Sequence, residues 1–487
     1  MRAVHSVDQV RAAEAALMAQ VPQGALMQRA AAALARRCAQ LLGRVYGTRV
    51  VVLVGAGDNG GDALYAGARL AHRGAQVDVL LASERAHSAG LAALRAAGGR
   101  VDGPEQSAEQ LLLGAELIVD GVLGIGGRGG LRDPAAGWAG LAAASGATVV
   151  SVDIPSGVDA NDGRVSGATV RADVTVTFGT RKPGLVVTPG ASFAGLVECV
   201  DIGLELPPAA VEILDAEDVA ARLPTPESTS HKYSRGVLGV AAGSETYTGA
   251  AVLSTGGAIR AGAGMVRYVG PEHPAGYVRD RWPEAVVTVM GEGCDPTSAG
   301  QVQAWVVGPG VGTGLAAEAV VRAVLATDLP VLVDADGLTV LSAHLDWVAH
   351  RRGPTLLTPH AGEFARLVGT DRGGVEADRL AWVRRLAAEL GVTVLLKGAG
   401  TLVADPDGRT RVNPTGTPWL ATAGSGDVLS GVCGALLAGG LPALDAASCG
   451  AFLHGLAGQL AAGRPGAPIA AEDLVDTWPA AVSAVLR

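Results

Sequence analysis

The sequence predicts an α/β protein of two domains, each built on a largely parallel sheet. Short β-branched runs alternate with segments rich in Ala, Leu and Gly along almost the whole chain. These runs are continuously apolar, as are strands that helices cover on both faces. A polar segment at 222–236, which holds Pro224 and Pro226, interrupts the alternation as a linker or domain edge does. We therefore place the domain boundary near 215–230.

The composition is that of a large globular protein. Of the 487 residues, 49% are hydrophobic and 17% are charged, which is enough apolar surface for sizeable cores and too much for a disordered chain. The net charge of −9 argues against nucleic acid or an anionic membrane as the main partner. No signal peptide and no transmembrane segment of about 18 apolar residues is evident, so a cytoplasmic protein is expected.

The cysteines are dispersed and form no C-x-x-C pair. An odd, scattered set in a long chain indicates free thiols in a reducing compartment. The five residues are Cys38, Cys199, Cys294, Cys433 and Cys449.

The individual elements follow from the hydrophobic periodicity. Residues 1–46 are Ala-rich with charges at helical spacing, which predicts one or two helices. Strands of the first domain are predicted at 50–54, 77–81, 117–120, 148–153, 174–178 and 197–201. Strands of the second domain are predicted at 237–241, 265–269, 286–290, 305–307, 331–334, 355–358, 392–396 and 401–404.

A Gly-rich loop follows the strand at 50–54. Residues 55–60 fit the pattern G-x-G-x-x-G, in which backbone N–H groups and a helix N-terminus hold the phosphates of a dinucleotide. The motif alone is weak, because such turns also connect strands in proteins that bind nothing. The carboxylates of Asp58 and Asp62 are unusual beside phosphates, and no acid ends the second strand in the ribose-binding position.

Two further polar loops follow strands of the first domain. One spans 120–134 and carries Arg128 and Arg132, which could meet phosphates, and the other spans 152–161. Polar loops at the carboxyl ends of parallel strands form the ligand crevice of an open α/β sheet.

Oxygen-bearing side chains converge on these loops. Asn59, Asp120 and Ser156 come from three strand ends and offer hard ligands, which suit a cation better than a phosphate. Asp153 ends an apolar strand, where partial burial suits a carboxyl to proton transfer. The alternative for each single acid is that it caps a helix.

Together these loops resemble the NAD(P)H-hydrate epimerase family over residues 1–215. The resemblance is carried by GAGDNGGDALYAGARL, DGVLGIGGRG and SVDIPSGVDANDG, although Asp58 replaces the usual Asn and Ala63 the usual Gly. It implies a Rossmann-like three-layer α/β/α domain, K⁺ held by Asn59, Asp120 and Ser156, and a catalytic, substrate-contacting Asp153. The implied substrate-binding loops are Asp58, Asn59, Gly60, Gly61 and Asp62, and Gly124, Ile125, Gly126, Gly127, Arg128, Gly129 and Gly130.

The most specific stretch of the chain lies at 413–440. Gly424-Ser425-Gly426-Asp427 opens an apolar helix, where small residues let backbone N–H groups and the helix dipole approach a phosphoryl group. Asp427 is placed to accept a proton from a substrate hydroxyl, the general-base role in phosphoryl transfer. The alternative is an acid that merely stabilises the first helical turn.

This stretch resembles the ribokinase-like superfamily and, within it, the NAD(P)H-hydrate dehydratase over residues 225–487. The segments GPGVGTG, VDADGL, LTPHAGEFARL and LLKGAGTLVA carry the closer resemblance, with HKYSRG in place of the commoner His-Lys-Gly and Ser425 in place of Thr. It implies that the hydrated nicotinamide contacts Ala250, Gly312, His360 and Asp427. It implies that ADP is held by Lys397, Gly398, Ala399, Gly400, Thr401 and Gly426.

The residue chemistry agrees with these roles to different degrees. Lys397 beside glycines suits a phosphate-binding point charge. His360 at a strand end could contact an amide or hydroxyl, although a lone histidine is more often a satisfied structural residue. Glu363 could help to place Mg²⁺, which phosphoryl transfer needs.

The two resemblances imply a bifunctional lyase and isomerase that repairs the hydrates of NADH and NADPH, called NADHX and NADPHX. ADP is then the co-substrate, K⁺ belongs to the epimerase site and Mg²⁺ to the dehydratase site. The expected partners are small molecules, without nucleic acid or membrane, and enzymes of this type are often assemblies, which predicts a homo-oligomer.

Two other functions stay open on the sequence. A ribokinase-like kinase of hydroxymethylpyrimidine or of a sugar would explain Asp427 but not the first half. A nucleotide-sensing or scaffolding role for the first half is disfavoured because Asn59, Asp120, Asp153 and Ser156 are all retained.

Overall fold

The computed structural model describes residues 1–101, 107–291 and 295–486. The chain divides into two compact units, one of residues 3–209 and one of residues 210–487 with the first two residues. Strand β1 (Arg2–Val4) spans this division.

The first unit alternates strands and helices from α1 onward. Its strands are β2 (Arg49–Val54), β3 (Gln76–Leu81), β4 (Arg100–Val101), β5 (Leu117–Gly121), β6 (Thr148–Val152), β7 (Val174–Phe178) and β8 (Leu196–Val200). Its helices are α1 (Val7–Met18), α2 (Ala25–Leu42), α3 (Asp58–Ala71), α4 (Ser88–Ala96), α5 (Ala108–Leu113), α6 (Ala135–Ala144) and α7 (Ala191–Ala194), with a 3₁₀ turn at Pro183–Leu185.

The sheet of the first unit has the order β4-β3-β2-β5-β6-β7-β8, and all its strand pairs are parallel. Alternate residues of β2 enter different cores, since successive side chains of a strand point to opposite faces. Val50, Val52 and Val54 pack with α2, α3 and α4, whereas Val51 and Leu53 pack with α5 and α6. This arrangement is the predicted three-layer α/β/α fold.

Close backbone contact brings the ends of β2 and β5 together. A Cβ on Gly55 would lie 1.9 Å from the carbonyl oxygen of Val122, and one on Gly121 would lie 2.5 Å from the Cβ of Ala63. Only glycine leaves this space free. The loops after β2 and β5 therefore lie side by side at the point where the strand order reverses, which is where open α/β sheets bind ligands.

The second unit contains the remaining elements. Its strands are β9 (Val211–Ile213), β10 (Val237–Ala241), β11 (Met265–Gly270), β12 (Val286–Val289), β13 (Ala304–Val307), β14 (Val331–Val333), β15 (Thr355–Leu357), β16 (Thr393–Leu396), β17 (Leu402–Ala404) and β18 (Thr410–Val412). Its helices are α8 (Ala216–Ala220), α9 (Thr248–Arg260), α10 (Glu272–Arg281), α11 (Leu315–Leu325), α12 (Asp336–Leu341), α13 (Asp346–Ala349), α14 (Ala361–Val368), α15 (Arg372–Ala377), α16 (Arg379–Leu390), α17 (Ser425–Ala438), α18 (Ala443–Ala462) and α19 (Ala471–Val485). Two 3₁₀ turns lie at Pro296–Ala299 and Pro418–Leu420.

From β9 onward, the sheet of the second unit has the order β9-β18-β17-β16-β15-β14-β13-β10-β11-β12. The pairs from β12 to β16 along this order are parallel, as predicted. The pairs β16–β17 and β17–β18 are antiparallel, which the periodicity did not indicate. The turn at 405–409 is too short for a crossover, so β17 and β18 can only form a hairpin.

Helices α9 and α17 pack unusually closely and fix the start of α17. A Cβ on Gly431 would lie 2.0 Å from the carbonyl oxygen of Ser254, and one on Gly257 would lie 2.4 Å from that of Val428. Helix α17 is buried on nearly every side. Its first turn, which contains Asp427, is therefore held rigidly by the core.

Most of the sequence expectations for the fold are confirmed. Every predicted strand is present to within one residue at either end, and the Ala-rich start forms two helices. Strands β1, β4, β9 and β18 were missed because each is only two or three residues long and contains a charged residue, which interrupts the apolar run. Cys38, Cys199, Cys433 and Cys449 are free thiols, and Cys294 lies outside the described residues.

None of the helices in the described part of the chain combines the length and apolar character needed to cross a membrane.

Candidate active sites

The three predicted cation ligands of the first unit converge on the backbone of Leu123. The Asn59 amide donates to the carbonyl oxygen of Leu123 (3.0 Å), and the Ser156 hydroxyl accepts from the Leu123 N–H (2.8 Å). Ser156 Oγ in turn donates to Asp120 Oδ1 (2.6 Å). Residues from three strand ends are thus linked in one cluster.

Asp120 is the charged member of this cluster and is completely buried. Burial raises the pKa of Asp120, and hydrogen bonds from Ser156, Ser151 and the Val122 N–H oppose the rise. The cluster combines one carboxylate with amide, hydroxyl and carbonyl oxygens. Such a hard oxygen set fits K⁺, as the resemblance implied.

Asp153 lies at the end of β6 in a backbone conformation that few side chains adopt. Its φ is +65°, in the left-handed region, which Asp tolerates better than most residues. The turn directs the carboxylate back over β7, where Oδ1 accepts from Thr177 Oγ1 (3.0 Å), the Phe178 N–H (3.3 Å) and Lys182 Nζ (2.5 Å). Asp153 therefore does not cap a helix.

Carboxyl groups surround Asp153. Burial raises the pKa of Glu14 on α1, and the charge of Asp153 adds to the rise. Burial also raises the pKa of Asp62 well above its ordinary value, with further contributions from Asp153, Asp58 and Glu14. Asp62 Oδ1 is buried and has no hydrogen-bond partner among the residues that the structure describes. Carboxyl groups of raised pKa thus lie beside an anchored carboxylate, an arrangement suited to acid–base chemistry.

The two predicted substrate loops border the same crevice. Residues 58–62 form the first turn of α3, and residues 124–130 follow β5. A Cβ on Gly124 would lie 3.1 Å from Asn59 Oδ1, and one on Gly126 would lie 3.1 Å from Arg11 Nη2. Helix α1 therefore also reaches this site, and Arg128 is exposed to solvent there.

The second unit assembles a separate site at the carboxyl ends of its parallel strands. Gly312 donates its N–H to Asp336 Oδ2 (2.9 Å), and a Cβ on Gly310 would lie 2.8 Å from the Cβ of Ala250. The loop at 308–314 thus contacts both the start of α9 and the start of α12. Predicted substrate residues Ala250 and Gly312 are brought together.

Asp334 connects three elements at the centre of this site. Its Oδ1 accepts from Lys397 Nζ (2.7 Å) and its Oδ2 from Ser430 Oγ (2.6 Å), and it is 1% exposed. The next residue, Ala335, has a φ of +50°, which costs on the order of 1–3 kcal/mol. This strained turn directs the Asp334 carboxylate inward against Lys397.

The charges of Asp334 and Glu363 shift the pKa values of both Lys397 and Asp427. Burial disfavours the charge of Lys397, but Asp334 and Glu363 outweigh it, so the net pKa is raised and the ammonium persists. Burial raises the pKa of Asp427 to about 7, Asp334 adds to the rise and Lys397 opposes it. A carboxyl that titrates near neutral pH is well matched to a general base.

The glycine-rich start of α17 faces the lysine. Gly424 has a φ of +85°, which glycine adopts without strain, and a Cβ on Gly426 would lie 3.3 Å from Lys397 Nζ. The bare backbone, the helix N-terminus and the ammonium together offer N–H donors and positive charge, which suit an anionic group such as a phosphate.

His360 caps α14 rather than sitting in the core. Its Nδ1 accepts from the N–H groups of Gly362 (2.9 Å) and Glu363 (3.2 Å), and Glu363 Oε2 accepts from the His360 N–H (2.8 Å). The side chain is 60% exposed. Because Nδ1 is occupied as an acceptor, Nε2 is the ring nitrogen that can donate, and it lies 3.5 Å from Glu363 Oε1.

Arg379 forms hydrogen bonds with backbone carbonyl oxygens of the loop at 397–401 and of the strand end before it. Its Nη2 donates to the carbonyl oxygens of Leu396 (3.2 Å), Lys397 (3.1 Å) and Gly400 (3.5 Å), and Nη1 pairs with Glu376 (2.8 Å). The side chain is 2% exposed. With these carbonyls bound to Arg379, the shape of the predicted nucleotide loop depends on a residue outside the motif.

Sequence reasoning missed several of these residues. The segment VDADGL contains Asp334, but no local pattern marks this residue as part of a site, and none marks Lys182, Glu14 or Arg379. A lysine shortly after a buried strand and next to a proline is a usable signal for Lys182, because a lysine held against a sheet is rarely buried without a partner.

Comparison with known families assigns both halves of the chain. The family described as NAD(P)H-hydrate dehydratase matches residues 238–480, and the family described as YjeF-related protein N-terminus matches residues 23–184. A bifunctional NAD(P)H-hydrate repair enzyme of Mycobacterium leprae is 51% identical over 92% of this chain and 91% of its own. The chain belongs to the family of bifunctional NAD(P)H-hydrate repair enzymes. A more distant member from Moorella thermoacetica is 35% identical over 82% of this chain and 80% of its own.

A solved structure supports the fold of the second half of this repair-enzyme chain. The ADP/ATP-dependent NAD(P)H-hydrate dehydratase of Bacillus subtilis, co-crystallised with ATP and Mg²⁺, matches with a TM-score of 0.51 and 30% identity. The match covers 56% of this chain and 98% of that structure. A ribokinase-like superfamily protein of Enterococcus faecalis matches with a TM-score of 0.52 and 26% identity. The predicted ribokinase-like fold is confirmed.

Proposed function

We propose that this enzyme repairs hydrated nicotinamide dinucleotides in two steps. The first unit interconverts the R and S forms of NADHX and NADPHX, and the second dehydrates the S form at the expense of ADP. The observation that carries the proposal is that relatives named for this repair align with 92% of the chain, so both units are covered. Its partners are then the two hydrates and ADP, while a cytoplasmic location and a homo-oligomer remain predictions.

Epimerisation requires the configuration at C6 of the hydrated ring to be lost and regained. Protonation of the C6 hydroxyl lets it leave as water, and the ring nitrogen supplies the electron pair that forms the C6=N1 iminium. Water then adds to the opposite face and releases a proton. Asp153 is the group proposed to move this proton, with Glu14 and Asp62 as neighbouring carboxyls of raised pKa.

The residues proposed to hold K⁺ are Asn59, Asp120 and Ser156. A monovalent cation bound there would supply positive charge at the carboxyl ends of β2, β5 and β6. The chain's own part is to tie the loop at 121–130 to Ser156 and Asn59 through Leu123. That loop is the one proposed to contact the dinucleotide.

Dehydration is proposed to proceed through phosphorylation of the C6 hydroxyl. Asp427 accepts the hydroxyl proton as the oxygen attacks the β-phosphoryl group of ADP, and AMP leaves. The C6 phosphate is a better leaving group than hydroxide, so loss of phosphate together with a C5 proton restores the ring. Ala250, Gly312 and His360 are proposed to contact the hydrated nicotinamide. In support, the Gly312 N–H donates to Asp336, whose charge acts on Asp427.

The nucleotide is proposed to lie on the loop at 397–401 and the start of α17. Lys397 offers its ammonium and Gly426 its bare backbone to the phosphates. Mg²⁺ would neutralise charge on the transferring phosphoryl group, and Glu363 is the proposed ligand. One or two carboxylates suffice for this ion when phosphates complete its coordination.

Recovery of absorbance at 340 nm tests the proposal directly. Purified enzyme with ADP and Mg²⁺ should convert a mixture of R- and S-NADHX completely to NADH. If no absorbance returned and the enzyme instead phosphorylated a pyrimidine alcohol, the kinase alternative would replace this proposal.

The rate of S-hydrate repair is expected to fall below about pH 7. The raised pKa of Asp427, about 7, means that the carboxyl takes up a proton there and can no longer act as a base. The rate should decline about tenfold for each further pH unit and level off above pH 8. The measurement is kcat for S-NADHX with saturating ADP between pH 5.5 and 8.5, and a profile that stays flat to pH 5.5 would contradict the assignment.

A further inference from the structure

We propose that Lys182 is a positioning residue of the epimerase, which anchors one oxygen of Asp153 and leaves the other free to move the proton. The inference rests on the proposed role of Asp153. Lys182 follows β7 and lies outside the motifs that mark the epimerase.

The ammonium of Lys182 uses all of its donors within the site. Nζ donates to Asp153 Oδ1 (2.5 Å), Thr177 Oγ1 (2.9 Å) and the carbonyl oxygen of Phe178 (3.1 Å). The side chain is only 1% exposed. Three short contacts leave no donor for water or substrate, so Lys182 acts through Asp153.

The two oxygens of Asp153 have different environments. Oδ1 accepts from Lys182, from Thr177 Oγ1 and from the Phe178 N–H. Within the described residues, Oδ2 accepts no hydrogen bond. The Asp153 side chain is 12% exposed, so the carboxylate is reachable from the crevice. The geometry therefore assigns proton transfer to Oδ2, because Oδ1 is saturated with donors.

Burying the ammonium group of Lys182 is energetically unfavourable. Removing a charge from water is unfavourable, and a methionine of similar length would fill the space without that desolvation penalty. The ion pair with Asp153 offsets part of this desolvation penalty, and it holds the carboxylate in position for proton transfer. The charge of Asp153 acts on the nearby carboxyls of Glu14 and Asp62, and the lysine fixes Oδ1 of Asp153 within this cluster of acids.

The other cations near this site, Arg11 and Arg181, act mainly on residues other than Asp153. The charge of Arg11 acts on Glu14, and the charge of Arg181 acts on the thiol of Cys199. The charges of Lys182 and Asp153 also affect that thiol. Within the described residues, Lys182 is the cation that contacts the Asp153 carboxylate. During epimerisation the proton that Oδ2 gives to the leaving C6 hydroxyl is returned when water adds back, so Lys182 itself is unchanged.

The test is the Lys182→Met variant, assayed for conversion of R-NADHX to S-NADHX without ADP by chromatographic separation. We expect kcat to fall at least about a hundredfold with KM within about twofold, because the substrate does not touch Lys182. ADP-dependent repair of S-NADHX by the same molecules should stay normal and serves as the internal control. Lys182→Arg, which keeps the charge, should recover part of kcat.

A second variant tests the same inference in case Lys182→Met prevents the first unit from folding. Thr177→Val removes the hydroxyl that contacts both Asp153 Oδ1 and Lys182 but leaves both charges, and should lower kcat about tenfold with KM unchanged. Normal kcat in both Lys182→Met and Thr177→Val overturns this inference. An inactive wild-type enzyme overturns the proposed epimerase function instead, so the two failures are distinguishable.

Discussion

Asp427→Asn is expected to abolish ADP-dependent recovery of NADH from S-NADHX, with kcat reduced by about a thousandfold or more. The amide is nearly the same size as the carboxyl but cannot accept the hydroxyl proton, and general-base catalysis contributes about a hundredfold to ten-thousandfold. The pKa of about 7 makes Asp427 the group in this unit poised for that role. The measurement is single-substrate kinetics at 340 nm with saturating ADP and Mg²⁺.

Two controls separate catalysis from helix stability. Asp346→Asn also removes an acid from the first turn of a helix, at the exposed start of α13, and should leave repair at the wild-type rate. Conversion of R- to S-NADHX by the Asp427→Asn protein should likewise be normal. Substantial S-hydrate repair by Asp427→Asn would show that this acid only stabilises α17, the alternative that the sequence left open.

Asp153→Asn is expected to stop repair of R-NADHX beyond its spontaneous epimerisation while leaving repair of S-NADHX intact. The amide can still accept from Lys182 and Thr177 through Oδ1, so the turn is preserved, but it cannot exchange a proton. The initial rate of R-to-S conversion should fall at least about a hundredfold. With a mixture of epimers and ADP, rapid absorbance recovery should end when the S fraction is consumed.

The matched control lies in the same loop. Asp159→Asn changes a nearby acid whose carboxylate accepts a local turn hydrogen bond from the Asn161 N–H, and it should leave R-hydrate repair unchanged. If the Asp153→Asn enzyme repaired both epimers at the normal rate, Asp153 would not be the epimerase residue.

The sequence was informative where a function depends on a continuous segment. In the Gly-rich loop at 55–60 and at the start of α17, the glycines, the acid and the helix lie within a few residues of one another. The local chemistry can therefore be predicted without knowledge of the fold. Apolar strands such as β2 and β13 were equally clear, because burial on both faces demands an unbroken hydrophobic run. The same reasoning joined Asn59, Asp120 and Ser156, since carboxyl ends of parallel strands share one edge.

The tertiary structure decided the pairings between distant residues. Lys182 meets Asp153 across 29 residues, and Asp334 meets Lys397 across 63 and Ser430 across 96. No local pattern marks such partners, because each lies on a different strand or helix. The antiparallel pairing of β17 was hidden for the same reason, since apolarity reports burial and not direction.

By itself, then, the sequence determined that this protein has two α/β units, each with a phosphate-type loop and a candidate acid–base residue. Only the tertiary structure decided which oxygen of Asp153 is anchored, which carboxylate holds Lys397, and why Asp427 titrates near pH 7. The physical reason is that a proton's free energy depends on burial and on charges brought close by folding, and neither is a property of the residue's sequence neighbours.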